Sequence, residues 1–190
     1  MEIGLRDAIL GLKDSMRDNG ITPSRGLGEE LFLFSSTLAP VINVDLLITD
    51  RDGRVLLSWR EDSFHSPGWH VPGTCVRFRE TFAESIRRCA REELGVEVTF
   101  NSEPIKVYEL IRETDRDERA HFITLVFACR LAREDFVFPE ERSIRWFREM
   151  PENMTSAQIC YRQDWEILLK KLRKHNHEIC QLSVSGAGDQ

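Results

Sequence analysis

The chain has 190 residues, 41% hydrophobic and 31% charged, which is enough for one substantial core in an ordinary globular fold. A net charge of −6 argues against non-specific nucleic-acid binding, and no apolar run approaches the roughly 18 residues of a membrane span. The N-terminus lacks a signal peptide's basic-then-apolar order, and the five cysteines have no zinc spacing; a cytoplasmic protein with reduced thiols is expected, with neither nucleic acid nor membrane as partner.

Residues 1–19 carry Ile3, Leu5, Ala8, Ile9, Leu12 and Met16 at helical spacing ahead of Gly20 and Pro23, which predicts an amphipathic helix outside the core. Such a stripe needs a partner, and a homodimer using residues 1–35 is the expectation. Residues 29–36 include the run LFLF and read as a short strand. After Pro40, VINVDLLI reads as a strand, residues 50–53 (DRDG) as a turn and RVLLSWR as the next strand, together a hairpin. Asp45 interrupts the first apolar run. Buried acids are rare unless paired, so it is either a structural hydrogen-bonding residue or a ligand contact. Residues 61–73 read as a loop from their Ser, Pro and Gly content, and Trp69 within it is either a core aromatic or a stacking surface for a base or sugar.

Residues 81–94 carry the strongest local signals. Thr81 and Glu84 form a capping box, and Gly95 stands where a left-handed C-cap is wanted. At about 100° per residue, Phe82, Ile86, Cys89 and Ala90 share an apolar face, with Glu93 near its middle. Glu92 falls at the edge, one turn beyond Arg88. A carboxylate aimed into a protein costs several kcal/mol unless something positive meets it. Downstream, VEVTF and IKVYELIRE read as strands, residues 115–120 as a charged turn, and HFITLVFACRL as a long strand buried on both faces. PEERSIRWF gives an acidic loop and a strand, residues 156–174 an amphipathic helix, and the small polar end of residues 177–190 a disordered tail. Strands around one central helix, with another helix at the end, predict an α/β fold with a mixed sheet between helices. The expected organisation is an N-terminal helical extension over residues 1–36 and one domain over residues 37–176.

Counting from Thr74, Glu80 comes six residues on and Arg88 eight further, followed by Cys89, Ala90, Glu92, Glu93, Gly95 and Val96. This resembles the Nudix box, G-x5-E-x7-R-E-U-x-E-E-x-G-U with U aliphatic. Thr74 replaces its glycine, and Cys89 replaces its first Glu after the arginine. The resemblance implies an α/β/α sandwich and a Mg²⁺-dependent hydrolase, with Mn²⁺ an alternative. The implied metal ligands are Glu93, Glu92, the Gly73 carbonyl and Glu140; Glu80 and Arg88 would form the box's internal salt bridge. The span from Asp45 to Val96 is most similar to the GDP-mannose mannosyl hydrolases, which also lack that first Glu and attack the sugar carbon. In that branch Asp45 and Arg60 match substrate-binding positions, and the likeness resumes at His121 and at Arg145-Trp146. Glu141 stands where the branch has its catalytic histidine, so the implied catalytic set is Glu93, Glu92 and Glu141, and the substrate contacts are Asp45, Arg60, Trp69 and His121. Cys75 and Phe122 depart from the branch. A nucleotide-sugar hydrolase, a pyrophosphohydrolase cleaving a P–O bond and a non-catalytic nucleotide sensor all remain open at this stage.

Overall fold

The computed structural model describes residues 4–62, 65–113, 117–140 and 143–185, with the backbone alone for His65 and residues 173–185. Helix α1 is Leu5–Asp18 and α2 is Glu29–Ser36; they precede β1 (Val41–Ile48), β2 (Val55–Asp62), β3 (His65–His70) and β4 (Gly73–Cys75). Helix α3 (Phe82–Cys89) runs directly into a π-turn, Ala90–Leu94. Strands β5 (Val98–Phe100), β6 (Lys106–Ile111), β7 (His121–Leu131) and β8 (Ile144–Phe147) follow, and helix α4 (Cys160–Ser185) ends the described chain. Among the described residues no helix is long and apolar enough to cross a membrane.

One sheet is mixed. Strand β1 lies between antiparallel β4 and parallel β7, and β7 carries β5 and β6 antiparallel along its other edge. The second sheet has β2 between antiparallel β3 and β8. Alternation along β1 divides the core. Val44, Leu46 and Ile48 face a cluster with Ile86, Cys89, Ala90 and Leu94 of the α3 segment, whereas Leu47 joins Tyr161, Trp165, Leu168 and Leu172 of α4. The expected mixed sheet between helices is the architecture found.

Four expectations change in detail. Residues 29–36 form a helix rather than a strand; Glu29 and Glu30 occupy its first turn, where the helix dipole favours acids. Strands β1 and β2 do not form a hairpin, because they diverge into different sheets and share only the bridge Thr49–Val55. Part of residues 61–73 is extended backbone: Trp59 pairs with Trp69 and Ser58 with His70, so ladder pairing outweighs the Ser, Pro and Gly content. A short 3-10 turn at Ser156–Gln158 precedes α4, whose backbone continues beyond residue 174 into the stretch expected as tail, as far as Ser185. Cys75, Cys89, Cys129 and Cys160 are free thiols.

Candidate active site

The two ends of α3 are built as the sequence writes them. The Thr81 hydroxyl accepts from the Glu84 amide while the Glu84 carboxylate accepts from the Thr81 amide, and Gly95 closes the segment at φ 70°, ψ 27°. The helix does not stay α-helical to its end. The π-turn inserts a wider step at Ala90–Leu94, a local irregularity that recurs at functional sites. The two adjacent acids then face different spaces. Glu93 lines a pocket with Asp45, His70 and Gly73, while Glu92 lines a separate cavity with Arg77 and Arg88.

Arg88 ties this segment to the preceding loop. It donates to both oxygens of Glu80 at 2.7 and 2.9 Å, to the Cys75 carbonyl at 2.9 Å and to the Thr74 hydroxyl at 3.1 Å. The Glu80 carboxyl is held below its ordinary range, first by the Arg88 hydrogen bond, and both side chains are only 12% exposed. The expected Glu80–Arg88 lock is therefore present, and Thr74, in place of the box glycine, is used as one of its hydrogen-bond acceptors. Glu92 sits 3.3 Å from Arg88 and 3.7 Å from Arg77.

The pocket around Glu93, about 240 Å³, is polar on one side. Asp45 is buried at its base, accepting from the Tyr161 hydroxyl at 2.7 Å and from the amides of Asn43 and Gln158. Burial, opposed by the Tyr161 hydrogen bond and reinforced by Glu93, pushes the Asp45 carboxyl up to about 7. Gly73 is required beside it: a Cβ there would run into an Asp45 carboxylate oxygen. Gln158 anchors the far wall through a pair of bonds with Val71, donating to its carbonyl at 2.9 Å and accepting from its amide at 2.6 Å.

Arg60, Arg112 and Arg119 line the same pocket. Arg60 is paired with Asp62. Arg112 donates to the Arg119 carbonyl at 3.1 Å, and its Nε is buried without a partner among the described residues. Burial lowers the pKa of both Arg112 and Arg119, and a guanidinium keeps its proton in proteins. Three guanidinium groups lining a pocket that also holds Asp45 and Glu93 make a site suited to a phosphate-bearing ligand.

His70 also enters this site. Its Nδ1 lies 2.8 Å from the Ser58 carbonyl, which accepts its proton, and its Nε2 faces Glu93 at 3.9 Å. Sequence reasoning missed it, together with Arg112, Arg119 and Tyr161. The alternation His70-Val71-Pro72-Gly73 held the only local hint. Cys89, by contrast, is 1% exposed within the core, where burial raises its thiol far above the ordinary range. It is neither a hard-cation ligand nor a base.

Other expected positions lie elsewhere. Trp69 is outside the pocket's lining and packs edge-on against Trp59 and Phe147 at 5.4 and 4.8 Å. His121 starts β7 with Nε2 3.3 Å from Glu109, next to the pocket residue Phe122. Glu140 is exposed in the loop before β8, and Glu141 lies outside the described residues. Among the described residues no three His, Cys, Asp or Glu side chains converge on a metal position. Glu93 and the Gly73 turn, both hard oxygen donors, nevertheless share one pocket, and Mg²⁺ usually takes one or two carboxylates and leaves its remaining positions to water and phosphate. The donors present fit such an ion.

A capped helix locked through Arg88 to β4 and the loop after it, with one acid facing an arginine-lined pocket, defines a site of the Nudix class. The NUDIX domain model matches residues 39–157, more than half of the chain, and the protein belongs to that family. Its relatives include the low-salt glycan biosynthesis protein Agl8 of Haloferax volcanii (strain DS2), 33% identical over 107 residues that span 55% of this chain and 67% of that protein. Among solved structures, a MutT NUDIX hydrolase from Burkholderia pseudomallei superposes with TM-score 0.51 and 24% identity over 66% of this chain and 98% of its own. A UDP-X diphosphatase superposes with TM-score 0.54 and 18% identity over 90% and 82% of the two chains. At these identities the structural likenesses establish the fold.

Proposed function

We propose that this Nudix hydrolase takes a nucleoside diphosphate sugar, GDP-mannose-like, and breaks the bond between the sugar's anomeric carbon and the diphosphate oxygen. The observation that carries the reading is the loss of the first box carboxylate. Cys89 occupies that position as a buried neutral thiol, so the helix offers the pocket the single carboxylate Glu93 where phosphorus-attacking members of the family gather more. The glycan-related name of the Haloferax relative supports a sugar-bearing substrate.

In this reading Glu93 and the Gly73 carbonyl would hold Mg²⁺, with secondary parts for Glu92 and Glu140, and the ion supplies positive charge to the leaving diphosphate. Arg60 binds the diphosphate, assisted by Arg112 and Arg119. Asp45, Asn43, Gln158 and Tyr161 present hydrogen-bonding groups to the sugar. His70, its ring fixed by the Ser58 carbonyl, faces Glu93 across the pocket. A water attacks the anomeric carbon from the far side of the sugar, the electron pair of the broken C–O bond leaves with the diphosphate, and the water's proton passes to a general base, for which we nominate Glu141. The products are a nucleoside diphosphate and a free sugar of inverted anomeric configuration. Hydrolysis in ¹⁸O-labelled water tests this: label in the sugar is expected, and label in a phosphate with release of nucleoside monophosphate overturns it in favour of a pyrophosphohydrolase.

We further propose a homodimer. No side chain of α1 is buried, and Leu5, Ile9, Leu10 and Leu12 stand exposed, an apolar set that pairing with a second copy would cover.

A further inference from the structure

The pocket around Glu93 is too small for the whole substrate. At about 240 Å³ it lies below the roughly 300–1,000 Å³ of sites that enclose drug-sized ligands, and a nucleoside diphosphate sugar is larger than most of those. A second cavity of about 690 Å³ opens beside it. Thr74, Cys75 and Arg119 line both, so the two spaces meet across the β4 turn.

The walls of the larger cavity differ in chemistry from those of the smaller. One side is the N-terminal extension, with Leu27 and Phe32, continued by Pro40 ahead of β1, and the other is the loop between β4 and α3, with Val76, Arg77 and Phe78. Phe78 is 61% exposed. Arg119 stands over the Phe32 ring at 5.3 Å, at the junction of the two spaces. Of the two carboxylates lining the cavity, Glu92 is matched by Arg88 and Arg77. The small pocket gathers the polar groups of Asn43, Asp45, Gln158 and Glu93 with Arg60 and Arg112; the large one has the Phe32 and Phe78 rings and aliphatic surface, and Arg119 lines both.

We propose that residues 26–40 are one wall of a nucleoside subsite, in which the base of the substrate packs against Phe32 and Phe78 while its diphosphate crosses the junction at Arg119 and its sugar enters the pocket of Glu93. The sorting of surfaces assigns this orientation: sugar hydroxyls need the hydrogen-bonding wall, and a planar base needs the aromatic one. The extension is then part of the binding site in each subunit, separate from whatever α1 covers.

The inference rests on the nucleotide-sugar reading, and its test is read by binding rather than turnover. Calorimetry in the presence of Mg²⁺ compares pyrophosphate with UDP, GDP and ADP on the full chain. The expected result is that at least one nucleoside diphosphate binds about tenfold or more tighter than pyrophosphate. Phe78→Ala and Phe32→Ala should each remove most of that advantage and leave pyrophosphate affinity unchanged. Phe78→Trp should keep the advantage. Phe78 is exposed enough that its alanine variant decides the matter even if Phe32→Ala fails to fold. Equal affinity for pyrophosphate and every nucleoside diphosphate, or an advantage that survives Phe78→Ala, overturns the subsite. The bond-cleavage reading fails separately, through label in phosphate.

Discussion

Asp45 makes the folding stability of this protein fall between mildly acidic and neutral pH. Its carboxyl is 2% exposed and is raised from 3.8 to about 7 by burial, so the unfolded chain releases this proton long before the folded one does. Below pH 3.8 both states are protonated and Asp45 costs nothing. As pH rises the unfolded state ionises alone, and the penalty grows until the folded carboxyl also ionises near 7. At about 1.4 kcal/mol per pH unit the penalty reaches several kcal/mol at pH 8, most of it added above pH 5. Asp45→Asn removes the titration and keeps a carbonyl oxygen to accept from Tyr161. The stability of the variant relative to wild type should therefore improve by about 3 kcal/mol between pH 5 and pH 8. Urea denaturation of both proteins without added metal, at pH 5, 6, 7 and 8, measures this. Parallel pH profiles for the two proteins would refute the account.

Glu93→Gln should abolish Mg²⁺-dependent turnover while leaving apo thermal stability unchanged or raised, because an acid facing the inside of a pocket is neutralised. Glu92→Gln should be milder, shifting the metal requirement upward and costing under about 1 kcal/mol, since its pairs with Arg88 and Arg77 are half exposed; a loss equal to that of Glu93→Gln would reverse the two roles. Gly73→Ala should be inactive and several kcal/mol less stable by thermal melting, because its Cβ would occupy the position of an Asp45 oxygen; wild-type activity and Tm would show that Asp45 can move aside cheaply. Deleting residues 1–20 should convert a dimer to a monomer in light scattering, and an unchanged mass would count against α1 as the interface.

The parts of this fold that were legible in advance are those with local causes. The limits of α3 follow from a capping box and a glycine within fifteen residues, and β7 from a continuous apolar run. The Glu80–Arg88 lock was readable from family spacing, and Thr74 was accommodated because that position keeps a negative φ and its hydroxyl finds Arg88. What was hidden depends on distant partners. In the strand-like LFLF of α2, Leu31, Phe32 and Leu33 are half-buried and Phe34 is exposed, and Phe32 shares a cavity wall with β4 residues Thr74 and Cys75. Nothing near Asp45 announces Tyr161, which is 116 residues away. The separation of β1 from β2 is equally non-local, since the partners that draw them apart, β7 and β8, come much later in the chain. The reading of Asp45 as a structural hydrogen-bonding residue fits its Tyr161, Asn43 and Gln158 partners, and it also lines the pocket.

The π-turn at Ala90–Leu94 carries a consequence for engineering. Substitutions that raise regular helix propensity along this segment, a routine route to thermostability, would favour the uninterrupted repeat that the native backbone avoids. Relaxing to that repeat would swing the end of the helix about its axis, carrying Glu93 away from Gly73 and His70 and drawing Leu94 out of the core. Gains in melting temperature won here should therefore come with lost activity, and safe stabilising changes should be sought on the solvent face before Cys89.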